Sequence, residues 1–236
     1  MGTGRSTRRV DLRSARSSRL FRYDRALGAR VVAGTDEAGR GCLAGPLVVA
    51  AVAFDVDGLG RDARRDMADL DDSKRLSPGA RADLAALILR HARQVVVFSA
   101  CAPTVDRDGL HRSNLRLLAR CLDAIDPHAD VSIVDGFRLP PPAPPHRAVI
   151  DGDATSAAVA AASVIAKTTR DRLMAGPVAA QWPGFGFERH VGYGTRQHQD
   201  ALRDAGLTPI HRRSFRSVAY TDLRLFDADG AASSGT

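Results

Sequence analysis

From residue 30 onward, the chain alternates short apolar runs with segments of helical periodicity. Short runs rich in valine and alanine predict buried strands, and apolar residues three or four positions apart predict helices. The predicted strands are 30–34, 46–54, 94–100, 131–136 and 148–153. The predicted helices are 77–93, 114–125, 155–174 and 196–206. Because two consecutive strands open this series, we expect an α/β fold with a central mixed sheet flanked by helices.

Positive charge is concentrated at the amino terminus. Residues 1–30 hold nine arginines and two aspartates, whereas the rest of the chain has 25 basic and 25 acidic side chains. Few large apolar residues occur before residue 28, so we predict a disordered arm over 1–27. A flexible tail is predicted over 226–236, which leaves 28–225 as the folded domain. The arm is either a solvated tail or a tether to nucleic acid phosphates, and both interpretations stay open.

Several classes of protein are disfavoured by the same sequence. No apolar run reaches membrane-spanning length, and the Arg-rich start lacks the apolar segment of a secretory signal. Three cysteines, Cys42, Cys101 and Cys121, occur without metal-ligand spacing. Such cysteines are typical of reduced thiols, so we predict a cytoplasmic protein with no membrane partner.

Four acidic residues have a common sequence context: Asp36, Glu37, Asp135 and Asp153. Each lies at or just beyond the end of a predicted buried strand, or in a loop that leads into a helix. Converging carboxylates are costly unless a cation neutralises them, and their hard oxygens favour Mg²⁺ or Mn²⁺ over zinc. Four carboxylates suit two ions about 4 Å apart, as phosphodiester hydrolysis often uses. One ion would activate water, and the other would stabilise the leaving 3′-oxygen.

Taken singly, each acid has a structural alternative. Asp135 and Asp151 both precede a glycine, as turn residues do, and Asp153 could cap the following helix. Only two glutamates occur in the chain, and the longer carboxylate of Glu37 could reach a metal from a different direction than Asp36. The joint placement of the four acids therefore favours a metal site.

The segment GTDEAGRGCLAGPLVVAAV at 34–52 resembles the opening motif of bacterial ribonuclease HII, in the type 2 ribonuclease H family. Further segments match that family in order and spacing over about residues 30–220. They are DSKRLS (72–77), VDG (134–136), GD (152–153), SAAVAAASVIAKTTRD (156–171), HVGYGT (190–195) and HRRSF (211–215).

The resemblance implies a ribonuclease H-like fold with a C-terminal helical extension at about 172–225. It implies a monomeric endonuclease that cleaves RNA in RNA–DNA hybrids and cuts 5′ of single ribonucleotides in duplex DNA. The products would carry 3′-hydroxyl and 5′-phosphate ends, and the cellular roles would be ribonucleotide removal and replication. The family's catalytic, metal-binding carboxylates map onto Asp36, Glu37, Asp135 and Asp153.

The resemblance also implies a set of substrate-binding residues: Gly39, Arg40, Gly41, Ser73, Lys74, Lys167 and Tyr193. Glycines let the backbone approach a 2′-hydroxyl, and Arg40 suits a phosphate. The ring of Tyr193 would stack on the sugar at the RNA–DNA junction. Lys167 either binds a phosphate or pairs with Asp171 one helical turn away, and both alternatives stay open.

The sequence departs from the family at Asp151, where many relatives have lysine. We interpret Asp151 as a solvated turn residue, although it could instead repel the phosphate backbone or compete as a ligand. We expect His190, His198 and His211 to have positioning or surface roles. We expect HRRSF to contact the substrate backbone through Arg212 or Arg213. Two rival functions are a ribonuclease HIII-type enzyme, which usually carries a folded amino-terminal domain, and a hybrid-binding protein without activity.

Overall fold

The protein is described by a computed structural model over residues 19–125, 127, 129–215 and 220, without the side chains of 71–74. Within these residues, five strands form one sheet in the order β3-β2-β1-β4-β5. The strands are β1 (Val31–Ala38), β2 (Leu47–Asp55), β3 (Gln94–Ala100), β4 (Val131–Asp135) and β5 (Arg147–Val149). The first three strands pair antiparallel, whereas β1, β4 and β5 run parallel. The predicted α/β fold with a mixed central sheet is confirmed.

Helices cover both faces of the sheet. Residues 19–26 form α1. The other helices are α2 (Arg61–Asp66), α3 (Pro78–His91), α4 (Ala102–Asp108), α5 (Leu110–Ala124), α6 (Ala157–Leu173), α7 (Ala179–Gln181), α8 (Phe187–His190) and α9 (Arg196–Ala205). Tighter 3₁₀ turns span Ala68–Arg75 and Gly152–Ala154, and a π-helical turn, Met174–Val178, joins α6 to α7.

Helix α6 packs directly on the central strand β1. A Cβ atom on Gly34 would lie 2.3 Å from the backbone nitrogen of Val159, so only glycine allows this approach. The first half of α6 is mostly alanine and is buried all round, which explains its apolar sequence. The close contact fixes where the polar residues in the second half of α6 meet the end of β1.

The predicted disordered arm extends too far toward the carboxyl terminus. Residues 19–26 are helical, and Leu20 and Phe21 are buried in the core beneath α6. Phe21 meets the ring of Phe54 edge-on at 5.7 Å, and Asp24 accepts a hydrogen bond from the Ala158 backbone nitrogen at 3.0 Å. These apolar residues were too few to outweigh the arginines around them in the sequence pattern. Residues 1–18 and the predicted tail at 226–236 lie outside the described residues.

Two strand boundaries also differ from the prediction. Strand β1 continues through Ala38 because its backbone stays paired with β2 beyond the last apolar residue. The strand predicted at 148–153 ends at Val149, and Asp151 adopts a left-handed conformation with φ of 53° before the 3₁₀ turn. None of the described helices is both long and apolar enough to cross a membrane.

Candidate active site

Three of the four predicted acids lie at one edge of the sheet. Thr35 of β1 is paired with Val134 of the parallel strand β4, so Asp36 and Asp135 follow side by side. Glu37 is the next residue of β1. Parallel strands present their carboxyl ends at the same edge, which is why residues a hundred positions apart meet here. Asp36 and Glu37 belong to β1 itself, whereas the sequence placed them after the strand.

Asp153 reaches the same edge from the 3₁₀ turn Gly152–Ala154. The turn is held against β4 because the Gly152 nitrogen donates to Oδ1 of Asp135 at 2.6 Å. Ser156 caps α6 by accepting from the Val159 nitrogen, which removes the capping alternative for Asp153. All four acids line one cleft of about 350 Å³. Its other lining residues are Ala38, Gly39, Arg81, Ser163, Val164, Lys167 and Tyr193.

The cleft gathers negative charge in a poorly solvated place. Asp36 is 7% exposed, and its pKa is raised to about 7. Burial is the main cause, and the charges of Glu37 and Asp135 add to it. Hydrogen bonds from the Ser163 hydroxyl and the Glu37 backbone nitrogen partly oppose the rise. A positive charge that entered the cleft would therefore stabilise the ionised carboxylate.

The donors in the cleft fit a hard divalent cation. Among the described residues, no three His, Cys, Asp or Glu side chains are already arranged as a metal ligand set. Four carboxylates nevertheless line the same cleft, and Glu37 is held by Arg40 through an ion pair of 2.9 Å. Carboxylate oxygens are the ligands that Mg²⁺ and Mn²⁺ prefer. Asp36, Glu37, Asp135 and Asp153 are thus the residues that could hold such ions after side-chain rotation.

The predicted Gly39-Arg40-Gly41 turn forms the rim of the cleft. Gly39 has a φ of 91°, and a Cβ there would lie 2.2 Å from Nε of Arg170. Gly41 is exposed, and a Cβ atom placed on it would meet no atom within 4 Å, so its surface is open to a ligand. Arg40 is 45% exposed and can exchange its partner Glu37 for a phosphate.

Two buried arginines hold this turn in place. Arg170 of α6 is fully buried and donates to the backbone oxygens of Ala44, Pro46 and Val191, at 2.9, 3.0 and 2.9 Å. It therefore ties the segment after the turn to the loop that carries Tyr193.

Arg212 is also fully buried, and it donates to the backbone oxygens of Gly45 and Arg40. Burial lowers the pKa of its guanidinium to about 10. Of the two predicted alternatives, Arg212 or Arg213, burial argues against a substrate contact by Arg212, because its described hydrogen bonds point into the protein. Arg213 is exposed.

Tyr193 and Lys167 stand together at the mouth of the cleft. Tyr193 is 41% exposed, and the ammonium of Lys167 lies 5.0 Å from its ring centroid. Lys167 also pairs with Asp171 at 2.9 Å, which confirms the pairing alternative, and a phosphate contact by Lys167 stays a prediction. The same Asp171 meets Arg81 of α3 at 3.5 Å. Arg81 and Lys167 of this ion network both line the cleft.

Three buried histidines, His190, His198 and His211, stabilise the loop that carries Tyr193 through hydrogen bonds. The nitrogen of Gly192 donates to Nδ1 of His190, so Nε2 of His190 carries its proton and donates to the Phe185 oxygen. The rings of His190 and His198 stack at 4.6 Å. His190 has a lowered pKa, chiefly through burial.

The hydrogen bonds of the other two histidines also assign neutral tautomers. The Thr208 nitrogen donates to Nδ1 of His211, so Nε2 of His211 donates to Nε2 of His198 at 3.0 Å. Nδ1 of His198 then donates to the backbone oxygen of Tyr193 at 2.9 Å. Burial lowers the pKa of both His198 and His211 to about 4. This chain of hydrogen bonds thus positions the loop and ends at the backbone of Tyr193. We call Arg170, Arg212, His190, His198 and His211 the supporting layer.

The remaining predicted residues are less informative, and two others were missed. The backbone of Ser73 and Lys74 lies in the Ala68–Arg75 turn, but their side chains lie outside the described residues. Asp151 is exposed and does not line the cleft, as a solvated turn residue would. Sequence reasoning missed Ser163 and Arg81. Ser163 could have been found, since it lies four residues before Lys167 and interrupts the otherwise apolar stretch at 157–166.

The fold and the cleft define a ribonuclease H-like hydrolase. The crystal structure of ribonuclease H2 from Pyrococcus horikoshii OT3 matches with a TM-score of 0.70 and 25% identity, over 83% of this chain and 97% of that one. A structure described as Bst-RNase HIII in complex with Mn²⁺ has the same fold, with a TM-score of 0.60 and 22% identity. It covers 86% of this chain and 73% of its own.

The sequence narrows this class to one family. The Ribonuclease HII family model matches residues 33–218. Ribonuclease HII from Geobacillus kaustophilus is 44% identical over 202 residues, which is 84% of this chain and 74% of that protein. The chain belongs to the ribonuclease HII family. It is a metal-dependent endoribonuclease of the ribonuclease H type that acts on RNA–DNA hybrids, which confirms the predicted class of enzyme and its hybrid substrate.

Proposed function

We propose that the protein cuts the phosphodiester bond 5′ of single ribonucleotides in duplex DNA as well as RNA in hybrids, leaving 3′-hydroxyl and 5′-phosphate ends. The observation that carries this proposal is the position of the four acids in one cleft with Gly39 and Tyr193 at its rim. The cut would therefore fall beside the place where a ribose is recognised. We further propose that the enzyme works as a cytoplasmic monomer in ribonucleotide removal and replication.

Asp36, Glu37, Asp135 and Asp153 would hold two divalent ions, Mg²⁺ or Mn²⁺. When bound, such ions supply the positive charge that activates water and stabilises the leaving oxygen. The protein's own part is positioning. Asp135 is oriented by the Gly152 nitrogen, and Asp36 by the Ser163 hydroxyl, so two carboxylates are already directed into the cleft.

The substrate would be aligned by groups around the acids. The backbone of Gly39 and Gly41 would approach the 2′-hydroxyl, which only RNA carries. Arg40 would leave Glu37 for a phosphate, and that exchange frees a carboxylate for a cation. Tyr193 would place its ring on the sugar, and Lys167, Ser73 and Lys74 would contact the phosphate backbone.

A gel assay tests the proposal with three labelled duplexes: all DNA, DNA with one ribonucleotide, and a continuous hybrid. We expect Mg²⁺ or Mn²⁺ to support cleavage of the second and third duplexes and not the first, and chelation to stop it. Ligation of the products identifies their ends. Cleavage of the hybrid without cleavage at the single ribonucleotide would instead indicate the ribonuclease HIII type. Binding without any cleavage would indicate an inactive hybrid-binding protein.

A further inference from the structure

A second groove lies away from the catalytic cleft, between helices α1 and α2. It encloses about 820 Å³. Its lining residues are Phe21, Arg22, Arg25, Ala26, Asp57, Arg61, Asp62, Arg64 and Arg65. Arg22 and Arg25 are three positions apart on α1, and Arg61 and Arg65 are four apart on α2, so each helix directs a pair of arginines to one side. We call these four residues and the space between them the arginine groove.

Among the described residues that line the arginine groove, positive side chains outnumber negative ones. Two aspartates accompany five arginines in the lining. Arg25 lies 3.9 Å from Asp57, and Arg65 lies 3.6 Å from Asp62, with every one of these side chains more than half exposed. Such long, exposed pairs contribute little and exchange readily for a better partner. The fifth arginine, Arg64, has a structural part, because it donates to the Leu59 oxygen at 2.7 Å.

The chemistry of the arginine groove selects phosphates. One guanidinium group can bind two phosphate oxygens at once. Arginines on both sides of a groove therefore suit a chain of phosphates. The one aromatic residue of the lining, Phe21, is 2% exposed and offers no ring for a base to stack on. Unpaired bases need such stacking, so the groove favours the outer backbone of a duplex over a single strand.

The arginine groove and the catalytic acids lie at opposite ends of strand β1. Asp57 lies two residues after β2, which ends opposite Val31 at the start of β1. The catalytic acids lie at the other end of β1, and its eight residues span about 26 Å at about 3.3 Å each. That distance equals about eight base pairs at about 3.4 Å per base pair.

We propose that the arginine groove binds the phosphate backbone of duplex DNA flanking the cut, at a site separate from the catalytic cleft. The inference rests on the proposed function, since the duplex is the same molecule. The inference adds a requirement that the proposed function lacks. A duplex that is held at the cut reaches the groove only if it extends about eight base pairs or more beyond the cut.

The test compares the wild type with a double variant, Arg61→Gln with Arg65→Gln. A matched control variant, Arg112→Gln with Arg203→Gln, removes the same charge from exposed arginines of α5 and α9. Binding to all-DNA duplexes of about 30 base pairs is measured by anisotropy over a range of salt concentrations. Because these duplexes contain no ribonucleotide, this readout does not depend on cleavage.

We expect the groove variant to bind the long duplex about tenfold more weakly, with a salt slope smaller by about two. The turnover number on a short ribonucleotide-containing duplex, which is held at the cut and does not reach the groove, should not change. An unchanged affinity and slope for the long duplex would overturn the inference, as would an equal loss in the control variant. If wild-type protein fails to cut at a single ribonucleotide, the proposed function fails and the anisotropy result still decides about the groove.

Discussion

The acidic cleft and the supporting layer behind it differ in how well the protein stabilises their buried charges. In the cleft, burial raises the pKa of Asp36 to about 7, and the charges of Glu37 and Asp135 add to the rise. In the supporting layer, Arg170 directs its nitrogens at three backbone oxygens. The cleft thus keeps an electrostatic cost that a cation can relieve, whereas the guanidinium of Arg170 in the supporting layer is paired within the protein. We therefore expect the acids to govern turnover, and the supporting layer to govern stability and the shape of the rim.

The largest effect should come from neutralising an acid. Asp36→Asn or Asp135→Asn should lower kcat by about a thousandfold or more, because a lost metal ligand removes several kcal/mol of transition-state stabilisation. Affinity for the substrate should stay near the wild-type value, since phosphates and the sugar edge provide most of it. Single-turnover cleavage and anisotropy measure the two quantities separately.

Asp151→Asn is the matched control for these variants. Asp151 is exposed on the turn beside Asp153 but outside the cleft, so its neutralisation should leave kcat nearly unchanged. If Asp36→Asn and Asp135→Asn retained wild-type turnover, the assignment of the cleft as the metal site would be wrong.

The next effect concerns the supporting layer. Arg170→Met should lower the free energy of unfolding by about 3–5 kcal/mol, because three buried backbone oxygens lose their donor. Urea denaturation of the variant, compared with Arg172→Met on the exposed side of α6, measures the loss. Equal stability of the two variants would show that Arg170 does not hold the loops together.

A smaller effect should separate the two glycines of the rim. Gly39→Ala should cost about 2 kcal/mol of stability, since a side chain at φ of 91° is strained and would overlap Arg170. Gly41→Ala meets no atom within 4 Å and has no such φ, so it should fold normally and lose only substrate affinity. Thermal melting and KM distinguish these outcomes. The comparison fails if Gly41→Ala is the less stable variant.

The two regions also differ in how far the sequence predicted them. The acids could be predicted because polar residues at the ends of apolar strands stand out, and parallel pairing then brings Asp36 and Asp135 together. The burial of Arg212 could not be predicted, because an arginine in a polar segment is typical of the surface. Its burial depends on carbonyl groups supplied by residues 40 and 45, far away in the sequence. Likewise, α1 was missed because Leu20 and Phe21 stabilise it by packing against core residues that are distant in the sequence.

The smallest effect is an acid sensitivity of the supporting layer. His198 and His211 have a pKa lowered from 6.5 to about 4 in the folded protein, because burial disfavours their charged forms. The stability that their neutral forms contribute is therefore full above about pH 6.5 and is lost as the pH falls toward about 4. A proton added to Nε2 of His198 would face the Nε2 proton of His211 and break the hydrogen bond that leads to Tyr193.

His198→Gln should be less stable than the wild type near neutral pH but should lose less stability between about pH 6.5 and about 4, with a difference of about 1 kcal/mol or more. Thermal melting across this range measures it, and His111→Gln at an exposed position is the control. The wild type and the control should show the same acid slope, because His111 is outside the buried chain of hydrogen bonds. If His198→Gln kept the wild-type slope, the neutral histidines would not be the source of the acid sensitivity, and the rim would owe its shape to the two arginines alone.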